Sequence, residues 1–385
     1  MRIGIDTFSF DSPGENSGVG RGVYVWSLLP ELIRAGRHHH FVIFANKETQ
    51  GAVPSSPNVT KVVCPGPNRL RPYRVIHEQI YLPLQFLKFR LDGMHFFGND
   101  IAYLLAHRSV LTVYDLMWAY YLDRDDSALK YKYFGITVPL SLQRARALIT
   151  ISRFVAEQAK ERFRKTTGRV FPIYLGPGLL AEPSQQEILS FREKYRLPFI
   201  FSVTTPMPHK NLRILLEAFL RLKQDSLFSG KLVVAGQLRG SFVSDIGDFI
   251  RANHLGDDVM LTGFIPDQEK TYCYRAASAF VYPSLYEGFG LPILEAMQAG
   301  TPVIASNAAS MPEVAGDACL YFDPNSVDDL VSSLLTILSD KEKRSHCITK
   351  GFDRVQRFDW SETAKETIAV YEKVFLERVQ RRRMV

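Results

Sequence analysis

What this chain is short of narrows its class before any motif is read. Its 385 residues include only four cysteines, Cys64, Cys273, Cys319 and Cys347. They stand far apart, with none of the paired spacings of a zinc or redox site. Reduced, buried thiols in a cytoplasmic protein are expected. No run approaches the ~20 apolar residues of a membrane span. The first residues, Met1 to Thr7, read directly as a strand and lack the apolar core and small-residue cleavage site of a signal peptide. There is no repeat at a solenoid period, no low-complexity tract and no nucleic-acid motif. Acidic residues are scarce in the first half: residues 1–178 carry 23 Lys/Arg against 14 Asp/Glu, whereas 179–385 carry 24 against 26.

What is present is the composition of a soluble globular protein, 46% hydrophobic and 23% charged, and long enough for two domains. The basic first half suits an anionic membrane surface or a phosphorylated acceptor; a plain solubility bias explains it equally. Short apolar runs alternate with helical periodicity. Strands are expected at 2–6, 41–45, 59–63, 94–97, 110–113 and 147–151, with helices at 22–35, 77–89 and 153–163, the last capped by Ser152. A Gly/Pro-rich linker near 175–184 precedes a second series, with strands at 199–203, 231–235, 259–262, 279–282 and 303–305. Its helices fall at 215–222, 245–253, 292–299 and near 327–338. Such alternation predicts an α/β protein with two largely parallel sheets covered on both faces. A last helix is expected over 361–378, with Asp359 or Ser361 as its cap.

The densest chemistry lies between Tyr282 and Gly300. A strand ends at Tyr282; Gly288 and Gly290 permit a sharp turn; Pro292 suits the first turn of a helix and Gly300 the residue past its end. A helix N-terminus behind a glycine loop favours anions. Glu287 stands in the loop and Glu295 one turn into the helix, both placed to accept hydrogen bonds from hydroxyls. The run Glu-Gly-Phe-Gly-Leu-Pro-Ile-Leu-Glu (287–295) resembles the donor-site motif of retaining glycosyltransferases of family 4, the glycosyl transferases group 1. The similarity continues through Ala-Gly-Thr-Pro-Val-Ile-Ala-Ser (299–306) and Pro-Glu-Val-Ala-Gly-Asp-Ala (312–318).

That resemblance implies a GT-B fold: two Rossmann-like domains with an inter-domain cleft, here 1–178 and 185–358. The segment 359–385 would supply a helix returning to the first domain and a basic tail. It implies that Glu287 contacts the transferred sugar and Glu295 the ribose, with Gly288, Phe289, Gly290 and Leu291 lining the donor. Lys210, in Pro-His-Lys-Asn-Leu (208–212), takes the place of the family's diphosphate-binding lysine. The arginine usual beside it is replaced by His209, and Thr204/Thr205 stand where others carry Gly-Arg. An imidazole with an ordinary pKa of ~6.5 would favour phosphate at mildly acidic pH. Gly18 and Gly20 resemble the glycine loop of the first domain. Asp115, in Thr-Val-Tyr-Asp-Leu (112–116), closes a strand where the family carries His-Asp and this chain has Tyr114. Gly263 and Phe264 resemble the turn that lines the base.

Asp123-Arg124-Asp125 formally matches a metal-binding Asp-x-Asp but sits in a polar linker, and consecutive histidines 38–40 point in different directions. No metal and no cofactor is expected. Arg69, Arg71, Arg74, Lys88 and Arg90 interleave with Tyr73, Tyr81, Leu82, Leu84, Phe86 and Leu87. Either this stretch lies on a membrane, or its apolar side packs on the sheet and only its basic side is exposed. The resemblance extends to bacterial mannosyltransferases of surface polysaccharides through Glu78–Pro83 and Tyr114–Leu116. It implies transfer of a hexose, mannose first, from GDP-mannose or a UDP-sugar to a glycan or lipid-diphosphate-linked acceptor. The site of action would be cytoplasmic, extending to the inner membrane face. A nucleotide-sugar 2-epimerase on the same scaffold and a catalytically weak partner subunit are the alternatives.

Overall fold

The computed structural model describes residues 1–13, 20–98, 100–117, 128–196, 198–205, 207–237 and 242–376. The chain divides into two compact units. One comprises Met1–Gly176 with the segment from Asp359 on, the other Pro177–Phe358.

The first unit is built on seven strands: β1 (Arg2–Asp6), β2 (His40–Ala45), β3 (Val59–Val63), β4 (Gly93–Phe96), β5 (Ser109–Val113), β6 (Ala147–Thr150) and β7 (Val170–Pro172). Their order is β3-β2-β1-β4-β5-β6-β7, and every pairing is parallel. The second unit holds β8 (Phe199–Val203), β9 (Lys231–Ala235), β10 (Val259–Gly263), β11 (Ala279–Tyr282), β12 (Val303–Ser306) and β13 (Leu320–Phe322). Their order is β10-β9-β8-β11-β12-β13, again parallel throughout. Helices cover both faces of such sheets, so the central strands are apolar along their whole length. Ile200, Leu232, Val281 and Ile304 accordingly pack with helix Leu212–Gln224, and Phe44, Met94, Leu111 and Leu148 fill the core of the first unit. The expected α/β architecture of two Rossmann-like units is the one observed, and all four cysteines are free and buried.

The sequence underestimates some elements for local reasons. Strands β7 and β13 have three residues each, too few to show a pattern. Helix Lys341–Val355 buries little beyond Cys347 and Gly351, so its charged surface hides its periodicity. The helix expected over 77–89 begins six residues earlier, at Arg71, and runs through a π turn at His77–Tyr81 into Leu82–Lys88. Pro83 lacks the amide for a regular turn, and its ring crowds the carbonyl four residues back. A wider turn just before it relieves both problems.

Helix Trp360–Tyr371 starts at Asp359, whose carboxylate accepts from the amides of Ser361 and Glu362. It packs on helix Arg21–Ala35. Tyr371 OH meets His95 Nδ1 at 2.5 Å, His95 Nε2 meets Thr112 Oγ1 at 2.8 Å, and Tyr24 OH closes on Thr112 at 3.3 Å. Burial depresses the His95 pKa to about 3, so this chain of polar groups is uncharged. Beyond it, Phe375 caps Gly93: a Cβ at Gly93 would lie 2.2 Å from the Phe375 ring. Gly93→Val is therefore expected to destabilise the protein by about 1–3 kcal/mol through overpacking. Combined with Phe375→Leu it should cost less than the sum of the two single changes, because the clash is shared. Urea unfolding of the four proteins checks this; strict additivity would show that Phe375 does not pack there in solution.

Candidate active site

In an open parallel sheet, functional groups gather outside the carboxyl ends of the strands, where the strand order reverses. In the second unit that point lies between β8 and β11. The segment after β8 is shaped by Gly236. Its φ is +140°, and a Cβ there would sit 1.8 Å from the Thr204 carbonyl oxygen, so only glycine fits. A tight turn at Pro208–Lys210 follows, and Asn211 takes the left-handed conformation at φ 55° while its amide donates to the Pro324 carbonyl at 2.8 Å. After β11, Gly290 turns the chain at φ +117° into helix Leu291–Gln298, with Pro292 in the first turn. The Leu285 amide donates to the His209 carbonyl at 2.7 Å and ties the two loops together.

This brings Lys210 and Glu287 into contact. Lys210 Nζ lies 2.7 Å from Glu287 Oε1, and Ser284 Oγ donates to the same oxygen at 2.7 Å. Ser310 Oγ donates to the carbonyls of Glu287 (2.9 Å) and Phe289 (2.7 Å) and fixes the loop beneath. Burial opposes the Glu287 charge, but Lys210, Ser284 and Tyr282 outweigh it and hold the carboxyl below its usual range. A pair this shielded from water has a defined geometry, and removing one partner strands the other.

Glu295, on the helix, is buried in the second unit and is 6% exposed. Its Oε2 accepts from Tyr274 OH at 2.9 Å and faces Lys270 Nζ at 3.5 Å. Its Oε1 abuts Gly178, where an added Cβ would lie 2.3 Å away. Burial works against the Lys270 charge, yet Glu295 and Asp267 raise its pKa.

The other residues singled out from sequence are dispersed. The Phe289 ring is buried and meets Phe358 edge-on at 5.8 Å; Leu291 is buried as well. Gly288 lies in the loop between Glu287 and Phe289. Gly263 ends β10 at φ +71°, and Phe264 beside it is exposed. In the first unit, Asp115 follows β5 and accepts from the Met117 amide at 3.0 Å, the geometry of a turn-stabilising aspartate. Tyr114 is buried edge-on to Tyr24 at 5.4 Å, and its hydroxyl has no hydrogen-bond partner among the described residues. Gly20 precedes helix Arg21–Ala35 in open space. Gly18, Asp123, Arg124 and Asp125 lie outside the described residues. His39 meets Glu372 while His40 meets Thr60, so these neighbours do point apart.

One group escaped the sequence reading. The strand order of the first unit reverses between β1 and β4. There Asp6, the last residue of β1, accepts from the Phe8 amide at 3.2 Å and meets His77 Nε2 at 3.0 Å; Phe8 stacks on His77. Glu78 adjoins them. Burial, then Asp100 and Asp6, push its pKa well up, against the pull of Arg74 and Arg71. Asp100 is likewise raised by burial, and one of its oxygens has no hydrogen-bond partner among the described residues. These residues come from three separate segments, so no local spacing joins them. The available signals were the strand-end position of Asp6 and the single acid among the bases of 69–90.

Residues 184–354 match the family described as Glycosyl transferases group 1. Among curated proteins, the O-antigen chain mannosyltransferase B of Escherichia coli is 34% identical over 244 residues, covering 62% of this chain and 64% of that protein. The serotype-specific mannosyltransferase WbdA of Escherichia coli is 30% identical over 61% of this chain but only 29% of its own length. The aligned stretch thus spans under two thirds of either relative. Among solved structures, sucrose-phosphate synthase from Thermosynechococcus elongatus superposes with a TM-score of 0.76 at 23% identity, covering 98% of this chain and 100% of that one. That likeness is one of fold and identifies the two units as a GT-B pair.

His209 departs from the expectation of an imidazole poised near pH 6.5. Burial, then the adjacent Lys210 charge, depress its pKa to about 4 despite Glu287. In the free protein it is neutral at mildly acidic pH, so any charge it offers an anion must be induced by that anion. The unfolded chain titrates near ~6.5 and binds the proton first. The stabilising contribution of neutral His209 is therefore complete above ~6.5 and lost as pH falls through about 4. His209→Asn should melt with a shallower decline in Tm across that window, while matching the wild type's slope above pH ~7. Parallel Tm–pH curves for the two proteins would show that the histidine titrates normally.

Proposed function

Since residues 184–354 form a glycosyl transferases group 1 domain, we propose that the protein is a retaining hexosyltransferase. It takes mannose, from GDP-mannose in preference to a UDP-sugar, and passes it to a glycan or lipid-diphosphate-linked acceptor of a surface polysaccharide at the inner face of a membrane. The mannosyl donor is supported by the O-antigen mannosyltransferases it resembles.

The observation that carries this reading is the Lys210–Glu287 pair at the β8/β11 reversal, set before a helix N-terminus. The two residues divide a sugar nucleotide between them. Lys210, with the helix dipole, takes the diphosphate and the charge that grows on it as the glycosidic bond breaks. Glu287 takes hydroxyls of the sugar being moved. In the free protein each is the other's counter-ion; in the complex each keeps that partner while gaining part of the ligand. Glu295, steadied by Tyr274 and Lys270, accepts from the ribose. Orientation and charge stabilisation then provide most of the rate, with no carboxylate base and no bound metal required. On the first unit, Asp6, His77, Glu78 and Asp100 stand at the strand ends where an acceptor would enter.

Titration calorimetry with GDP, UDP and ADP, followed by turnover of GDP-mannose with and without EDTA, tests the reading. GDP should bind, and transfer should survive EDTA. Absence of any nucleotide binding would favour a partner subunit, and release of an altered free sugar an epimerase. Variants should be conservative, because Ala at Glu287 would strand Lys210. Glu287→Gln should lower turnover roughly ten- to a hundredfold while GDP binds as tightly or more tightly, since Lys210 has lost its internal anion. Glu295→Gln should weaken GDP binding by a similar factor. Equal losses of GDP affinity in both variants would overturn the division of roles.

A further inference from the structure

Helix Asp267–Ala276 sends two side chains to the same atom of Glu295. Lys270 and Tyr274 stand four residues apart on it and so share a face. Tyr274 OH donates to Glu295 Oε2 at 2.9 Å, and Lys270 Nζ lies 3.5 Å from that oxygen. The lysine side chain is 19% exposed and the glutamate side chain 8%. Lys270 Nζ also meets Asp267 Oδ1 at 3.2 Å, but the Asp267 side chain is 61% exposed, so water weakens that contact. Burial disfavours the Lys270 charge, yet Glu295, then Asp267, outweigh it and raise the pKa. Tyr274 is held well above the usual phenol range, first by burial and then by Glu295, and stays a neutral donor. The sequence marked Glu295 and left Lys270 unmarked, since only folding makes the pair.

We infer that Lys270 is a positioning residue that sets how strongly the nucleotide site distinguishes ribose from deoxyribose. This role presupposes Glu295 as the acceptor for the ribose. A buried carboxylate with no counter-charge takes up a proton or turns toward water, and either change removes a fixed anionic oxygen from the place where a hydroxyl needs it. The Lys270 ammonium supplies the counter-charge, and with the Tyr274 hydroxyl it engages Oε2. Oε1 is left for the ligand. It lies against Gly178, where an added Cβ would come within 2.3 Å and displace it. A hydroxyl donating to an ionised oxygen makes a charge-assisted bond, roughly twice as strong as a neutral one. Lys270 thus strengthens ribose recognition without touching the ribose. The competing role is a direct hold on the diphosphate. Position argues against it, because Nζ already lies between two carboxylates, those of Glu295 and Asp267.

Calorimetry on the full-length protein, with GDP, 2′-deoxy-GDP and 3′-deoxy-GDP as probes, tests this. The proteins are the wild type, Lys270→Met, Lys270→Arg, Glu295→Gln, and Lys270→Met combined with Glu295→Gln. Methionine keeps the apolar stem and removes the charge. In the wild type, loss of the bonded hydroxyl should lower affinity about tenfold. Lys270→Met should bind GDP about tenfold more weakly and shrink the cost of the missing hydroxyl to about threefold or less, and Lys270→Arg should restore most of the preference. With Glu295→Gln already present, Lys270→Met should change GDP affinity by less than about twofold, since nothing is left to position. Melting temperatures without nucleotide confirm folding, and the combined variant should lose less than the sum of the two single losses. Three results would each overturn the role of Lys270 and leave the ribose reading standing. They are an undiminished ribose preference in Lys270→Met, an equal loss of GDP affinity from Lys270→Met with and without Glu295, and additive losses of Tm. A wild type that fails to bind GDP, or binds all three nucleotides equally, would overturn the ribose reading and the role of Lys270 together.

Discussion

A parallel sheet cannot be closed by tight hairpins, so each strand must hand the chain to a crossover and begin again at the same edge. Everything functional in this protein follows from that constraint. The chain leaves every strand at the carboxyl edge, and where strand order reverses the two neighbouring loops diverge and leave room. In the second unit the loops after β8 and β11 fill that place, and they are the loops that carry Lys210 and Glu287. In the first unit the ends of β1 and β4 occupy the equivalent place, and there the acids Asp6, Glu78 and Asp100 collect around His77. The topology concentrates the side chains; the local glycines and prolines only aim them.

The Lys210–Glu287 contact shows how aim becomes electrostatics. Each charge alone in this shielded setting would cost more than it gave. Together, and with Ser284 donating to the same carboxylate oxygen, they stay ionised and fixed. The same Lys210 charge disfavours a proton on His209, adding to the effect of burial. One short ion pair thus sets the protonation of its neighbour, and the loop beneath it is held by Ser310 through two main-chain carbonyls. The loop therefore holds one fixed cation beside one imidazole that is neutral in the free protein.

The alternation of strands and helices, and hence both sheets, was legible because parallel strands buried on two faces leave continuous apolar runs such as Phe199–Val203 and Phe41–Ala45. The turn from Glu287 to Pro292 was legible because its geometry demands particular residues: Gly290 has a backbone conformation that other residues resist, and Pro292 sits where a missing amide costs nothing. Where tertiary contact decides, the sequence was silent. Nothing local says that Lys210, 77 residues before Glu287, will neutralise it, or that Glu295 will face Gly178 and Tyr274. The His209 pKa could not be read from an imidazole beside a lysine, because burial is the larger cause. Asp115 stands at the strand end that its position in the sequence indicated, while its bond to the Met117 amide, which shapes the turn, belongs to the loop geometry that no strand pattern shows.

The helix Arg71–Lys88 shows why periodicity alone misjudges some amphipathic segments. A hydrophobic stripe in sequence is ordinarily assigned to the core, since burial is the dominant reason for apolar residues to recur. Here the helix has apolar residues on two faces, and only one of them finds a core. The π turn at His77–Tyr81 lies in the middle of this run, where His77 meets Asp6 on the inner side while Ile76 and Ile80 face out. An exposed apolar face of this kind is costly in water.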